Sequence, residues 1–147
     1  IYTGEDTLSL HDALPIYSGK YVLCAVGMEE LGADIQKTGK YDIKVVNRFF
    51  HKDEQDYITS LPYARQAAVF FRMWALKESY IKALGKSIAG TFDSFSIKVS
   101  GETAAAYIDD ELLPYRFIEY KIGEYFISVC TKEIIDKPLL RWVDFSK

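Results

Sequence analysis

Trp74, Glu78 and Lys82 follow one another at four-residue intervals inside a run of helix-forming residues, with Phe70 one turn earlier. Four residues advance a helix by one turn plus a modest rotation, so indole, carboxylate and ammonium share one face. The spacing equally describes an ordinary surface ion pair: Glu four residues before Lys is the favourable order, worth about 0.2–0.5 kcal/mol. A second set lies in Gly32-Ala33-Asp34-Ile35-Gln36. In a strand, Asp34 and Gln36 leave the same face while Ala33 and Ile35 pack inward. A carboxylate and an amide oxygen facing a helical Glu offer hard oxygen ligands for Mg²⁺, which usually keeps several waters and takes the rest from substrate phosphates. Asp34 and Gln36 also suit a plain strand with a polar outer face. Neither set is specific alone.

The elements that must position them read as strands, then helices, then strands. Lys20–Gly27 (KYVLCAVG) is an apolar run of strand length, and a turn at Met28-Glu29-Glu30 leads to the alternating LGADIQ, so the pair reads as a hairpin. Asp42 can cap a short helix with Ile43, Val46 and Phe50 on one side, and a further helical piece starts near Asp53. From Tyr63 to Leu84, after Ser60 and Pro62, the spacing of Val69, Met73, Leu76, Tyr80 and Leu84 predicts a long helix with that stripe in the core. Gly85 stands where a left-handed C-cap belongs. FSIKVS, AAAYID, YRFIEYKI and YFISVC then read as an antiparallel sheet, with a hairpin turn at Gly123-Glu124 and an edge strand in LLRWVDF. Elements in this order, without strict βαβ alternation, predict an α+β domain.

The chain has 147 residues, 49% of them hydrophobic and 15% aromatic, with 18 basic and 21 acidic side chains and a net charge of -3. That is the composition of one globular domain, long enough to bury roughly two thirds of its unfolded surface without a disulfide or structural metal. No basic run offers a footprint for nucleic acid, and no apolar stretch reaches membrane-spanning length. Cys24 and Cys130 each sit in an apolar run. Buried reduced thiols are expected, which points to a cytoplasmic setting.

Residues 1–16 stand apart. Thr7–Ile16 (TLSLHDALPI) resembles the translation of a common short-read sequencing adapter, and Ile1–Thr3 matches its flank across a short variable index. In that frame the adapter supplies the first base of codon 17, a T that makes the codon Tyr where a C would make it His. The expectation is that residues 1–16 are artefact, that the domain runs over 17–147, and that the native chain continues upstream. Glu5, Asp6 and Asp12 are the only charged residues of the segment; without them acidic and basic side chains balance at 18 each.

GADIQ followed by WALKESYIKALGKS, with SGKYVLCAVG just before, resembles the surfactin-type (Sfp-type) 4'-phosphopantetheinyl transferases, whose pattern joins Ser-His-Ser-Gly, Gly-x-Asp-x-Glu and Trp-x-x-Lys-Glu-(Ala/Ser)-x-x-Lys. Trp74, Lys77, Glu78, Ser79 and Lys82 match the third motif at every fixed position. The resemblance extends over RFFHKDE and FDSFSIKV, from Ser18 to about Thr131. Gln36 departs from it where Glu is frequent, and Tyr17 where His is expected. It implies the second half of a pseudo-symmetric two-half fold, an antiparallel sheet packed on a long helix. The implied activity is Mg²⁺-dependent transfer of the phosphopantetheine arm of coenzyme A to a serine of an acyl or peptidyl carrier protein, with release of 3',5'-ADP. It also implies a monomeric full-length enzyme, a half-length piece of which is inactive.

For the residues, the resemblance implies Asp34, Gln36 and Glu78 at the metal, Glu78 as the base for the carrier serine, and Lys82 on the transferring phosphate. Ser18 and position 17 are implied at the coenzyme, with Lys77 as a lesser phosphate contact or a surface charge. Trp74 reads as packing and His51, at a helix end, as an exposed residue. Two alternatives stay open: the short trimeric holo-acyl-carrier-protein synthase type, and a non-catalytic interaction domain in which Trp74, Glu78 and Lys82 are an ordinary helix face.

Overall fold

Strand, helix and strand blocks follow one another as expected in the computed structural model, which describes residues 11–12, 15–86, 91–135, 138 and 140–144. The first block holds β1 (His11–Asp12), β2 (Ile16–Ser18), β3 (Tyr21–Leu23), β4 (Val26–Gly27) and β5 (Leu31–Lys37). The helices are α1 (Ile43–Phe49), α2 (Lys52–Ser60) and α3 (Tyr63–Ala83). The second strand block holds β6 (Ser96–Ser100), β7 (Thr103–Ile108), β8 (Glu111–Leu112), β9 (Arg116–Ile122) and β10 (Tyr125–Thr131). The architecture is mixed α+β with antiparallel pairing throughout.

Local chemistry accounts for most boundaries. The Asp42 side chain accepts the Lys44 amide and starts α1, whose Val46 is buried, as is Phe50 just beyond its end, while Ile43 lies in solvent. α3 begins after Pro62 and stops before Gly85, which takes a left-handed φ of 64°. Met73, Leu76 and Tyr80 are buried as expected, with Val69 and Leu84 half-buried beside them. β9 and β10 form the expected hairpin, with Gly123 at φ 55° as the first of two turn residues.

Three expectations change. The run Lys20–Gly27 is not one strand and does not pair with Leu31–Gln36: β3 pairs with β2, β4 with β1, and β5 with β10. β10 offers β5 a seven-residue apolar partner, and that longer ladder outcompetes the nearer segment. The four C-terminal segments form two sheets, β6-β7-β8 and β5-β10-β9, in place of one. The expected edge strand in LLRWVDF lies partly outside the described residues, and residues 140–144 adopt no strand.

The β5-β10-β9 sheet is covered on both faces. One face carries Ile35, Ile127 and Tyr125, packed by Ile16, Tyr21 and Leu23 of the β2-β3 hairpin. α3 covers the other, where Asp34, Ser128 and Glu119 stand directly opposite one another across the three strands. Each of these grips a different point of α3: Asp34 the Lys82 ammonium, Ser128 the Ser79 hydroxyl, and Glu119 both Arg72 Nε and Nη2. The helix therefore lies across the strands. Its far side builds the main core with α1, α2, Phe92, Phe95 and Ile97. Among the described residues no helix is long and apolar enough to cross a membrane.

Candidate active site

Close approach of α3 to β5 starts at Gly32. A Cβ there would collide with the Ser79 carbonyl oxygen and the Ala83 nitrogen, so only glycine lets helix backbone and strand meet. Two residues along, on the same face of the strand, Asp34 is brought under the last turns of α3. Its Oδ1 accepts from Lys82 Nζ at 2.7 Å and its Oδ2 from Gln36 Nε2 at 2.8 Å. Of the two readings left open for this strand, the plain one with a polar outer face is not what the fold shows: the face is polar but covered, and Asp34 is 3% exposed.

Glu78 joins from the helix. Burial lifts its carboxyl above the usual range, and the neighbouring Asp34 charge lifts it further, while Lys82 and a hydrogen bond from Trp74 act the other way. The Lys82 side chain remains 36% exposed, which leaves this end of the group open to solvent. Asp34, Gln36, Glu78 and Lys82 are thus brought together.

Trp74 packs, as expected. Its ring lies against Phe92 at 4.8 Å and near Phe70 and Phe50, and its indole acts to lower the neighbouring Glu78 carboxyl's pKa.

Other expected residues fall elsewhere. Lys77 is neither a surface charge nor within reach of the carboxylates: it is fully buried on the other side of α3, bound to Glu54 and to the Phe95 carbonyl. His51 is half-buried and caps α2, its side chain accepting the Asp53 amide while Glu54 accepts the His51 amide, a reciprocal capping box. Tyr17, 76% exposed, and Ser18 lie on the β2-β3 hairpin, across the sheet from Glu78. Beside that hairpin an open cleft of about 530 Å³ is lined by Lys20, Tyr21, Lys37 and Tyr125. Cys130 is buried with its thiol pushed up, but Cys24 is exposed; neither is in a disulfide. Residue-by-residue alternation of exposure from Tyr21 to Met28 explains Cys24, because this stretch is covered on one side only.

Among the described residues no three His, Cys, Asp or Glu side chains converge on a metal position. The Asp34 and Glu78 carboxylates are hard ligands suited to Mg²⁺ provided that substrate oxygens complete the shell, while Gln36 turns its Nε2 to Asp34 and would ligate through its amide oxygen only after that amide turns. Burial raises the Glu78 pKa most and repulsion from Asp34 adds to it; that repulsion is what a divalent cation relieves. The set fits such an ion.

Residues 30–130 match the family model of the 4'-phosphopantetheinyl transferase superfamily. The chain is 33% identical over 116 residues to the 4'-phosphopantetheinyl transferase gsp of Aneurinibacillus migulanus, covering 78% of this chain and 49% of the relative. It is 34% identical over 119 residues to the transferase psf-1 of Bacillus pumilus, covering 80% and 51%. The chain thus spans about half the length of the curated relatives it matches. A holo-(acyl-carrier-protein) synthase from Bacillus anthracis, solved in complex with CoA (3',5'-ADP), shares the fold with a TM-score of 0.57 at 17% identity, over 69% of this chain and 92% of that one.

Proposed function

Because the chain belongs to the 4'-phosphopantetheinyl transferase superfamily, we propose that it supplies the reacting centre for transfer of the 4'-phosphopantetheine arm of coenzyme A to a carrier-protein serine. The observation that supports this most directly is the convergence of Asp34, Gln36, Glu78 and Lys82 from β5 and α3. The serine oxygen forms a bond to the phosphorus that bears the pantetheine arm, the bond from that phosphorus to the ADP oxygen breaks, and 3',5'-ADP leaves. Positioning and charge neutralisation dominate such a step.

Asp34, Gln36 and Glu78 would hold Mg²⁺, which when bound neutralises pyrophosphate charge and polarises the reacting phosphorus. Glu78 takes the serine proton, directly or through one water; burial and the Asp34 charge make it a stronger base than an ordinary carboxylate. Trp74 orients that carboxylate. Lys82 swings from Asp34 onto the transferring phosphate, a move its partial exposure permits, and stabilises the departing oxygen. Tyr17 and Ser18 lie across β5 from Glu78, which restricts them to a part of the coenzyme remote from the reacting phosphorus. The protein in which this chain acts works as a cytoplasmic monomer, and the 147 residues alone turn over slowly or not at all.

The test is transfer of a fluorescent coenzyme A conjugate to an apo carrier protein, with and without Mg²⁺, by the full-length enzyme. E78Q and K82A are each expected to lose about 10²-fold or more of the rate. Unimpaired turnover by either variant refutes the assigned roles.

A further inference from the structure

We infer that Glu54, through Lys77, is a positioning residue for the carboxylate site: the buried pair fixes the rotation of α3 that aims the next residue, Glu78, at Asp34. The inference rests on the reading of Asp34, Gln36 and Glu78 as a divalent-cation site.

Adjacent helix residues point about 100° apart, so immobilising one aims the other. Lys77 is immobilised completely. Its Nζ donates to Glu54 Oε1 at 2.9 Å, to Glu54 Oε2 at 2.8 Å and to the Phe95 carbonyl at 2.9 Å, which uses every ammonium proton. Glu54 in turn accepts the Ile97 amide at 2.7 Å and the His51 amide at 2.9 Å. The pin thus ties α3 to α2 and to the start of β6. The ammonium lies 4.0 Å from the Phe95 ring centroid and within 6 Å of those of Phe92 and Phe50, so no alternative rotamer reaches water.

A second thread leads from this box to the site. Phe92, which walls Lys77, also packs on Trp74, which stands one helical turn before Glu78 on the same face. A rotation of α3 by about 20° would carry a carboxylate ~6 Å from the helix axis through about 2 Å, enough to part Glu78 from a ligand shared with Asp34.

Stability does not explain the pair. Burying each charge costs several kcal/mol, and an apolar pair of similar volume commonly stabilises as well or better. What an apolar pair lacks is direction.

The test uses the 147-residue chain and Mn²⁺ as the probe, since it shares the oxygen-ligand preference of Mg²⁺. E54Q/K77M removes both charges at similar volume, and E54D keeps the charges but shortens the reach by one methylene. Each is compared with wild type for urea unfolding, for Mn²⁺ affinity by water-proton relaxation, and for the Trp74 indole resonance, assigned with W142F. The expected result is a folded protein with a displaced indole resonance and Mn²⁺ affinity lowered about 10–100-fold for E54Q/K77M, with a smaller change of the same sign for E54D. Should the double variant unfold, E54D decides. Wild-type indole resonance and Mn²⁺ affinity in a folded variant overturn the inference. If wild type itself binds no Mn²⁺, the cation reading fails, and the indole resonance still decides whether Glu54 positions the Glu78 turn.

Discussion

Lys77 and Lys82 leave opposite sides of α3, and each meets a carboxylate at nearly the same distance, 2.8 Å to Glu54 and 2.7 Å to Asp34. Their settings differ. Glu54 and Lys77 are wholly buried and every donor and acceptor of the pair is used within the protein. Asp34 is buried too, but its lysine is one third exposed, and a second carboxylate beside it leaves negative charge uncompensated. A closed pair can only hold a shape. An open one, with charge in excess and a cation able to swing away, can bind and release.

The largest effect that would break this contrast is on stability. K77M leaves Glu54 buried and unpaired and is expected to lose about 3–5 kcal/mol in urea unfolding. K82M removes an outwardly similar pair but at a site that solvent screens, and about 1 kcal/mol or less is expected. Equal losses would erase the distinction. G32A comes next: the added methyl must push α3 from β5, at about 1–3 kcal/mol with loss of the Trp74–Glu78 geometry, read from melting and near-ultraviolet dichroism.

Smaller still is a pH effect. Glu78 holds its proton more tightly in the folded state than unfolded, so its contribution is present below the ordinary carboxylate pKa and is lost as pH rises through the raised folded value. E78Q removes that loss. Its stability relative to wild type should therefore grow from pH 4 to pH 8, and a constant difference would contradict the burial argument. Least of all, W74F keeps most of the ring contacts but loses the indole donor; about 1 kcal/mol is expected, with the Glu78 carboxyl titrating higher by NMR.

Much of this was written locally. The Asp42 cap, the α3 stripe and the Gly123-Glu124 turn each need only neighbours within a few residues, and so do the shared faces of Asp34 with Gln36 and of Glu78 with Lys82. What escaped were long-range choices. Glu54 reads as an ordinary acid in the first turn of a helix, because its partner lies 23 positions away. One signal was available: Lys77 stands four residues after Met73 and four before Ile81, both buried, on a line where a surface lysine does not belong. The pairing of β5 with β10 was likewise undecidable from Lys20–Gly27 alone, since an apolar run states that it wants a partner and not which one.

The row Asp34–Ser128–Glu119 has a bearing on folding fidelity. A strand that slips by one residue turns every side chain to the other face. A one-residue slip of β10 would withdraw Ser128 from Ser79, and a slip of β5 would send Asp34 towards the hairpin and away from Lys82 and Glu78. Misregistered molecules would therefore lose the grouping of Asp34, Glu78 and Lys82 while still looking folded by helix content, so that helix content alone cannot count how many sheets closed in the right register.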